Sequence, residues 1–401
     1  QLVREVDLAR MEARGDGAGL SYAEQGPPIA GLDALAGWTA DAGQSLDGGV
    51  VESAFEALWA WLDRPPEGAL RVLPLPAATA VLERSEDPGG RTGQLDAAVF
   101  GLGNYAKTQI LANLPKGIRV RCVHEIDPTQ LGPVAGLDWA ADTSPRLREG
   151  ERYDAVYIAG YHHTHADLAV STLEQGGYAV VEKPVVTTRD ELGRLLTAVR
   201  SRPGRLFSCF HMRHNPLFDD ARRALGLAAG DPIHYHCQVF EIPLPERHWY
   251  RWPNSRSHLV SNGCHWVDHF LHLNDFAEPA RTDVWMGGNG DTHVSVELAN
   301  GAVLGLHLTH EGSPRVGVRQ HVELRAGGRT LTVDDGARAV LEDRLGIRAR
   351  QRINKLAVYG RMYRRIGETM LAGGEGDSLA SIERSAGLML NLEAQLIGEE
   401  R

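Results

Sequence analysis

Two glycines, one alanine and one carboxylate have the spacing of a dinucleotide-binding turn. Gly101, Gly103 and Ala106 form a G-x-G-x-x-A pattern directly after a short apolar run. The first glycine permits a tight turn, the second lets the backbone approach a pyrophosphate, and the small third residue lets helix and strand pack closely. Glu125 comes roughly 20 residues later, after a second predicted strand, where an acid accepts hydrogen bonds from a ribose. The predicted contacts of the turn are Gly101, Gly103, Asn104, Tyr105 and Ala106. Because the Glu125 carboxylate would repel a 2′-phosphate, the cofactor is expected to be NAD rather than NADP.

Two further groups of polar residues follow predicted strands. His162 and His165 come after one apolar run, and Glu182 and Lys183 come after the next. Ligands of open parallel sheets bind beyond the carboxyl ends of the strands, so both groups are expected beside the nucleotide. For His162 the alternative is a solvent-facing loop position, and for His165 it is capping or packing of the following helix. For Lys183 it is a surface ion pair with Glu182.

The elements that must position these residues divide the chain into three parts. Residues 94–210 alternate short apolar runs with helical patterns, which predicts a Rossmann dinucleotide-binding domain. Residues 211–401 contain alternating strands separated by Asn-Gly and Gly-Gly turns, which predicts an α+β domain with a mainly antiparallel open sheet. Two helices are expected there, at residues 262–273 and 378–397. The fold class is α/β, with residues 1–93 as an N-terminal extension.

The N-terminal extension carries weaker patterns. Residues 50–62 have helical spacing, residues 70–75 fit a strand, and residues 86–93 have the composition of a polar linker. One interpretation is a small helical appendage packed on the body of the protein. The other is an arm that docks a partner protein.

Composition argues against several classes of protein. The 401 residues are 43% hydrophobic and 23% charged, which is typical of a globular protein with two or three domains. A net charge of −10 argues against nucleic-acid binding, and the sequence has no apolar stretch long enough to span a membrane. The four cysteines show no C-x-x-C spacing, so reduced thiols and a cytoplasmic location are expected.

Four motifs resemble those of the Gfo/Idh/MocA oxidoreductase family. Glu182-Lys183-Pro184 follows the glycine pattern at the expected place, and residues 159–165 are similar to the family's A-T-P-N-H-x-H loop. Residues 213–216 resemble its R-F-x-P segment, and residues 263–268 match its G-x-H-x-x-D helix. The resemblance covers residues 96–400. It implies a nicotinamide lying across a cleft, with the substrate held between two domains.

The resemblance also implies catalytic roles. Lys183 would donate to the reacting oxygen and stabilise an alkoxide, while His265, titrating near neutrality, would relay the proton. Many members of the family have an Asp four residues before this histidine, whereas this sequence has Ser261. Asp268 or a group on the substrate would then have to compensate.

Five residues are predicted to contact the substrate. They are Arg213, Trp249, Arg251, Ser261 and Asn262. The aromatic residues around position 250 would stack on a sugar ring or a base. Alternatively, they cover the sheet or form an oligomer contact.

No metal site is predicted. His265, His269 and His272 would share one face of a helix, and His residues at i and i+4 can hold one metal ion. The sequence has no H-E-x-x-H motif or cysteine pair to support such a site.

These features predict an NAD(P)-dependent dehydrogenase or reductase. It would transfer a hydride between nicotinamide and a polyhydroxylated small molecule, such as a sugar, a sugar nucleotide or a cyclitol. The alternatives are an imine reductase of a biosynthetic pathway and a non-catalytic family member that senses nucleotide or docks a partner. A homo-oligomer formed through the C-terminal sheet is also expected.

Overall fold

The computed structural model describes residues 94–130, 139–245, 248–313, 315 and 317–398, together with four strands near the N-terminus. The chain divides into two compact units, Gln1–Pro88 and Gly89–Arg401. Of the helices in these described parts, none combines the length and apolar content that crossing a membrane requires.

The N-terminal unit contains a four-stranded antiparallel sheet with the order β1-β2-β3-β4. The strands are β1 (Val3–Asp7), β2 (Glu12–Gly15), β3 (Ala18–Tyr22) and β4 (Leu70–Pro74). Only β4 falls where the sequence predicted a strand. The first two strands, VREVD and EARG, contain many charged residues. Because acidic residues are uncommon in β-strands, the composition of these segments did not predict a strand. The predicted helix at 50–62 and the linker at 86–93 lie outside the described residues.

The Rossmann sheet has six parallel strands in the order β10-β9-β8-β5-β6-β7. Its strands are β5 (Leu95–Phe100), β6 (Ile118–His124), β7 (Ala140–Asp142), β8 (Ala155–Ile158), β9 (Tyr178–Val181) and β10 (Leu206–Ser208). The strand order reverses between β5 and β8, and a crevice for a ligand forms at such a switch point. This parallel sheet confirms the Rossmann fold that the sequence predicted for residues 94–210.

The helical segments around this sheet differ in regularity. The regular ones are α1 (His165–Glu174) and α2 (Arg189–Ser201), and a capping box formed by Thr188 and Glu191 begins α2. The helix predicted after the glycine turn is instead a π-helical segment, Ala106–Ile110, followed by a 3-10 turn, Leu111–Asn113. It ends at Leu114, whose ψ of 133° is extended, because the following proline disfavours the helical conformation.

The second sheet has eight strands in the order β12-β13-β14-β11-β15-β16-β17-β18. Only the pair β11–β14 is parallel, which confirms the predicted mainly antiparallel sheet. The strands are β11 (His234–Phe240), β12 (Pro279–Met286), β13 (Thr292–Leu298), β14 (Val303–Thr309), β15 (Arg319–Ala326), β16 (Arg329–Asp334), β17 (Arg338–Asp343) and β18 (Gly346–Arg352). The sequence missed β12, β17 and β18. The last of these is exposed along its whole length, so it lacks the alternation of apolar residues that marks a half-buried strand.

Four helices accompany this sheet. They are α3 (Ala221–Leu225), α4 (Cys264–Leu273), α5 (Leu356–Leu371) and α6 (Leu379–Ile397). The sequence did not predict α5, which contains glycines that are unfavourable in a helix. One of them, Gly367, is needed for close packing, because a Cβ there would lie 2.6 Å from the Pro115 ring.

One hydrophobic core connects the two sheets. It includes Ile158 and Val181 from the Rossmann strands and Val294 and Leu306 from the second sheet, all nearly inaccessible to solvent. The domain boundary between residues 210 and 211 therefore stays a prediction, since the packing is continuous across it.

Candidate active site

The glycine turn is shaped by close contact at one position and open space at the next. Gly101 has a φ of +87°, and a Cβ there would lie 2.6 Å from the Ala159 carbonyl oxygen. A Cβ at Gly103 would meet nothing within 4 Å, so the backbone is open there. Ala106 is buried and Asn104 is exposed. Tyr105 packs edge-on against Tyr359 and Tyr363 of α5. The turn thus offers accessible backbone beside Gly103.

Glu125 lies at the carboxyl end of β6, where the sequence placed it. Its two carboxylate oxygens accept hydrogen bonds from the Leu102 N–H at 2.5 Å and the Asp127 N–H at 2.9 Å. The carboxylate therefore ties the glycine turn to the end of β6. These backbone contacts were not expected. Because each carboxylate oxygen can accept more than one hydrogen bond, they do not prevent contact with a ribose.

His124 precedes Glu125 and forms a buried cluster with Cys122 and Glu151. One potential ligand atom from each residue lies within 4.8 Å of the others, the only such group in the described part of the chain. The His124 ring nitrogens lie 3.2 Å from the Ser144 carbonyl oxygen and 3.2 Å from a Glu151 oxygen. Burial opposes charge on this ring, but Cys122 and Glu151 outweigh it and raise the pKa of His124 to about 9. An imidazolium–carboxylate pair accounts for this geometry without a metal ion.

His165 connects the two loops that follow β8 and β9. Its Nδ1 lies 2.8 Å from the Pro184 carbonyl oxygen and its Nε2 lies 3.2 Å from the Gly160 carbonyl oxygen. The ring is buried, and burial lowers its pKa. His165 therefore holds the loops in place.

His162 is buried rather than solvent-facing, with 2% of its surface exposed. Its ring centroid lies 4.7 Å from that of Trp249 and 4.8 Å from that of Tyr250. Burial, aided by the charge of Lys183, lowers the pKa of His162 to about 2, so the ring is neutral. Among the described residues, its Nδ1 has no hydrogen-bond partner.

Lys183 points from the end of β9 towards the π-helical segment Leu259–Gly263. Its Nζ donates to the Ser261 carbonyl oxygen at 2.9 Å and to Asn262 Oδ1 at 3.0 Å. The Tyr250 hydroxyl lies 3.5 Å away. Burial favours a lower pKa for Lys183, but neighbouring ionisable groups, Tyr250 and Cys264 foremost, raise it above its ordinary value. The ammonium is therefore the stable form of Lys183.

Glu182 is not paired with the Lys183 ammonium, as the surface-ion-pair alternative required. Its side chain is buried and accepts a hydrogen bond from the Tyr363 hydroxyl of α5. Burial raises the pKa of Glu182. Glu182 thereby fixes α5 against the end of β9.

Glu241 is a site residue that the sequence analysis missed. It follows β11, is 3% exposed, and its Oε2 accepts a hydrogen bond from Asn262 Nδ2 at 2.5 Å. The same oxygen lies 2.8 Å from His258 Nε2, an ion-pair distance without the alignment of a hydrogen bond. Glu241 is thus a buried carboxylate that is linked to Lys183 by the Asn262 side chain, which hydrogen-bonds to both residues. A charged residue directly after a buried strand was the available signal.

His265 belongs to a stack of aromatic rings. Its centroid lies 4.5 Å from that of His211, which in turn lies 4.6 Å from that of Tyr359. The Nδ1 atoms of His211 and His265 have no hydrogen-bond partner in the described part of the chain. Burial lowers the pKa of His211 to about 3 and holds that of His265 well below its ordinary value. The expectation that His265 titrates near neutrality is wrong, because the ring is desolvated and lies near the Lys183 charge.

Asp268 and Arg213 are engaged with each other. The Arg213 Nε and Nη2 donate to the two Asp268 oxygens at 2.8 and 2.5 Å, and its Nη1 donates to Asp377 at 2.7 Å. Ser385 also donates to Asp268, which is 1% exposed. This network braces α4 against α6. Asp268 was predicted to assist His265, but it does not contact the His265 ring nitrogens. Arg213 was predicted to contact the substrate, but its guanidinium group is occupied by Asp268 and Asp377.

The remaining predicted substrate residues lie around Lys183 or beside it. The buried Ser261 contributes its carbonyl group to Lys183 and not its hydroxyl, which lies 3.4 Å from the His258 carbonyl oxygen. Trp249 packs on His162, whereas Arg251 is exposed and donates to the Leu244 carbonyl oxygen at 3.0 Å. The structure therefore brings Ser261, Asn262 and Trp249 to the site and leaves Arg251 at the surface.

The histidines of α4 do not converge. The ring of His269 is fully buried and its Nδ1 lies 3.1 Å from the Tyr235 hydroxyl, while His272 is exposed. His265 faces His211 instead. These three residues form no metal-ligating group in the described structure.

Comparisons with known proteins point in one direction. Residues 95–210 match the model of the Gfo/Idh/MocA oxidoreductases, a family with an NAD-binding Rossmann fold. An inositol 2-dehydrogenase of Saccharopolyspora erythraea is 35% identical over 86 residues, which are 21% of this chain and 26% of that protein. The scyllo-inositol 2-dehydrogenase (NAD(+)) of Bacillus subtilis is 27% identical over 151 residues, which are 35% of this chain and 43% of that protein. The chain thus spans less than half the length of these relatives.

A solved structure extends the likeness of fold beyond the matched region. The WlbA dehydrogenase of Bordetella pertussis, in complex with NADH and UDP-GlcNAcA, has a TM-score of 0.63 at 15% identity. The match covers 77% of this chain and 96% of that one, so it extends well beyond residues 95–210. Residues 95–210 are thus similar to the NAD-binding Rossmann domain of the Gfo/Idh/MocA oxidoreductases, and the likeness of the remaining residues is one of fold.

Proposed function

We propose that this protein is an NAD-dependent oxidoreductase that transfers a hydride between nicotinamide and a carbon bearing a hydroxyl group. The observation that carries the proposal is the surroundings of Lys183. A half-buried ammonium group is accompanied by the Nδ1 atoms of His162, His211 and His265, which are buried and have no hydrogen-bond partner in the described structure. A buried polar atom left unpaired costs about 1–3 kcal/mol, so these atoms are suited to pair with the hydroxyl groups of a ligand.

The cofactor fits the residues that are present. The open backbone beside Gly103 would hold the pyrophosphate, and Glu125 would accept hydrogen bonds from the adenosine ribose. A bound nicotinamide supplies the acceptor or donor of the hydride. The charge of Glu125 favours NAD over NADP, since a 2′-phosphate beside a carboxylate is repelled.

Lys183 is the proposed catalytic residue. Because its pKa is raised, it is an ammonium that donates a hydrogen bond to the substrate oxygen as negative charge develops there during reduction. It then supplies the proton that completes the hydroxyl group, and in oxidation the proton moves the opposite way, from the hydroxyl group to the Lys183 amine. His265 is neutral and has one nitrogen that accepts a hydrogen bond, which suits it to orient the same hydroxyl. We assign Asp268 and Arg213 a structural role, because their polar atoms are occupied by each other.

Glu241 takes the place of the carboxylate that Ser261 lacks. Its contact with Asn262 Nδ2 fixes the Asn262 side chain so that Oδ1 accepts from Lys183. One ammonium hydrogen is thereby directed to Asn262 and a second to the Ser261 carbonyl group. The third has only the long contact with the Tyr250 hydroxyl at 3.5 Å, which a closer substrate oxygen would replace. Glu241 is therefore a positioning residue.

The proposed substrate is polyhydroxylated. Trp249 and Tyr250 provide aromatic faces beside His162, and rings of this kind pack against the apolar face of a sugar or cyclitol. The two relatives are inositol dehydrogenases by name, and the WlbA structure contains a sugar nucleotide. A sugar, sugar nucleotide or cyclitol is consistent with all three.

A panel of polyols and sugar nucleotides tests the function. The absorbance of the reduced nicotinamide would be followed with each compound, in both directions, with wild type and Lys183→Met side by side. We expect turnover of at least one compound that is lost in the variant. Binding of NAD without turnover of any alcohol or imine in the panel would instead support a nucleotide-sensing protein.

Assembly, location and the N-terminal unit stay predictions. Trp285 and Met286 of β12 are 53% and 55% exposed, which supports the expected homo-oligomer through the C-terminal sheet. The four cysteines are buried free thiols, as a cytoplasmic protein requires. Docking of a partner by residues 1–93 has no further support.

A further inference from the structure

A cationic cavity lies beside the candidate active site. It has a volume of about 700 Å³ and is formed by the ends of β15, β17 and β18 and the start of α5. Its charged lining residues are Arg319, Arg338, Arg352, Lys355 and Asp335. Four cations and one carboxylate give a local charge of +3 in a chain whose net charge is −10. The cavity is therefore a positive region on a negative protein.

The carboxylate does not neutralise all the cations. Asp335 lies 2.9 Å from Arg319 Nε and 3.8 Å from Arg338 Nη2. No other residue of the described structure brings a carboxylate within ion-pair distance of Arg352 or Lys355. Arg338 and Arg352 also stand directly opposite each other on β17 and β18, and like charges in that position repel. Burial and the charge of Arg319 lower the pKa of Lys355. These repulsions would be relieved by an anion.

The cavity is joined to the candidate active site by one face of α5. Lys355 and Tyr359 are separated by about one helical turn, roughly 6 Å along the axis. The Tyr359 ring stacks on His211, which packs against His265. Gly336 lies between the lining residues Asp335 and Ala337, and its carbonyl oxygen accepts a hydrogen bond from Asn215 Nδ2 at 3.0 Å. This bond links the cavity to the segment that follows the turn containing His211. The cavity and His265 are thus separated by two aromatic rings.

We propose that this cavity is a subsite that binds the phosphoryl groups of a ligand. Arginine guanidinium groups match the geometry of phosphate oxygens, and a lysine adds a point charge. A ligand with at least two negative charges, such as a diphosphate, would balance the local charge. It is either the phosphoryl portion of the substrate or a separate phosphorylated effector. The first case rests on the proposed function, since it requires the reacting carbon to lie at Lys183.

Titration of the full chain with inorganic pyrophosphate tests the subsite directly. We expect saturable binding by calorimetry, and a dissociation constant at least tenfold higher for Arg352→Gln, because one of four converging charges is lost. The matched control is Arg200→Gln, which removes an exposed arginine on α2 and should bind as wild type does. Absence of saturable binding, or equal weakening in both variants, would overturn the proposal.

Thermal unfolding distinguishes loss of the subsite from loss of the fold. Without an anion, Arg352→Gln should unfold at the same temperature as wild type or higher, because the repulsion with Arg338 is relieved. Pyrophosphate should raise the unfolding temperature of wild type more than that of the variant. An equal rise in both proteins would contradict binding at this cavity. If Arg352→Gln fails to fold, Lys355→Gln provides the same comparison.

Inhibition kinetics separates the two sources of the anion. Pyrophosphate that competes with the alcohol substrate indicates that the subsite holds part of the substrate. Pyrophosphate that changes the rate without competing indicates an effector. Both results require that pyrophosphate binds in the cavity, so both should be weakened in Arg352→Gln. Pyrophosphate binding can be measured without turnover, so it would still be observed if the proposed oxidoreductase function were wrong. Conversely, if pyrophosphate did not bind, the loss of turnover expected for Lys183→Met would be unaffected.

Discussion

Replacement of Lys183 by methionine is the most direct test of the proposed chemistry. Methionine keeps most of the apolar stem and removes the ammonium group that donates to Ser261, Asn262 and a substrate oxygen. Loss of one preorganised donor to a developing oxyanion lowers kcat by about 10²–10³, or roughly 3–4 kcal/mol. We expect a decrease of that size in the rate of hydride transfer, measured under single-turnover conditions.

The affinity for NAD should change little in this variant. The pyrophosphate and ribose are assigned to Gly103 and Glu125, which follow β5 and β6 rather than β9. The stability effect has two opposing parts. The Ser261 carbonyl and Asn262 Oδ1 lose a donor, at about 1–3 kcal/mol each if left unpaired, while a desolvated charge is removed. Cofactor affinity measured by titration calorimetry therefore reports whether the variant is folded and binds.

Lys116→Met is the matched control, since Lys116 is an exposed lysine outside the site. It should keep the rate and the NAD affinity of wild type. His265→Ala should slow hydride transfer less than Lys183→Met, because its neutral ring orients the hydroxyl and carries no charge to the transition state. A wild-type rate for Lys183→Met on the true substrate would show that the active site lies elsewhere.

Three further predictions concern the surroundings of the site. NAD should bind at least tenfold more tightly than NADP, about 1.4 kcal/mol, and Glu125→Gln should narrow this difference; equal affinities in calorimetry would mean that Glu125 does not face the ribose. Glu241→Gln should lower kcat about tenfold and shift the alkaline limb of its pH profile to lower pH, because the carboxylate is one of the groups that raise the pKa of Lys183. Glu311→Gln, at the surface, is the control, and an unchanged profile in Glu241→Gln would contradict the positioning role. The His124 pKa of about 9 exceeds the value of 6.5 in an unfolded chain, so the contacts of its imidazolium with Cys122 and Glu151 stabilise the protein below pH 6.5, and this stabilisation is lost between pH 6.5 and 9. The loss amounts to at most about 3 kcal/mol and should be absent in His124→Gln; urea unfolding at pH 6 and pH 9 measures it, and identical pH dependence in both proteins would rule out the pair.

Local sequence patterns were sufficient for the nucleotide half of the fold. The apolar runs, the G-x-G-x-x-A turn and the acid after the second strand act over short stretches of chain, and each has one common structural use. The positions of Gly101, Glu125 and Lys183 at strand ends followed from that pattern. The irregular helix after the turn did not follow, because its end is set by Pro115 and by close packing of Gly367 in α5. Exposed β18 also escaped detection, since it has no buried face to create a pattern.

The sequence by itself determined which candidate site residues follow the Rossmann strands and that position 261 is a serine. Only the tertiary structure decided which carboxylate accepts a hydrogen bond from Asn262. Glu241 is 21 residues from Asn262 in sequence but accepts its hydrogen bond at 2.5 Å, because the end of β11 lies beside the π-helical segment that precedes α4. Likewise, Arg213 and Asp268 have the residue types of a binding site, yet they neutralise each other across 55 residues of chain. The pairing of charges depends on distances in space, and burial then decides their protonation. Neither the distances between charged groups nor their burial can be derived from short stretches of sequence.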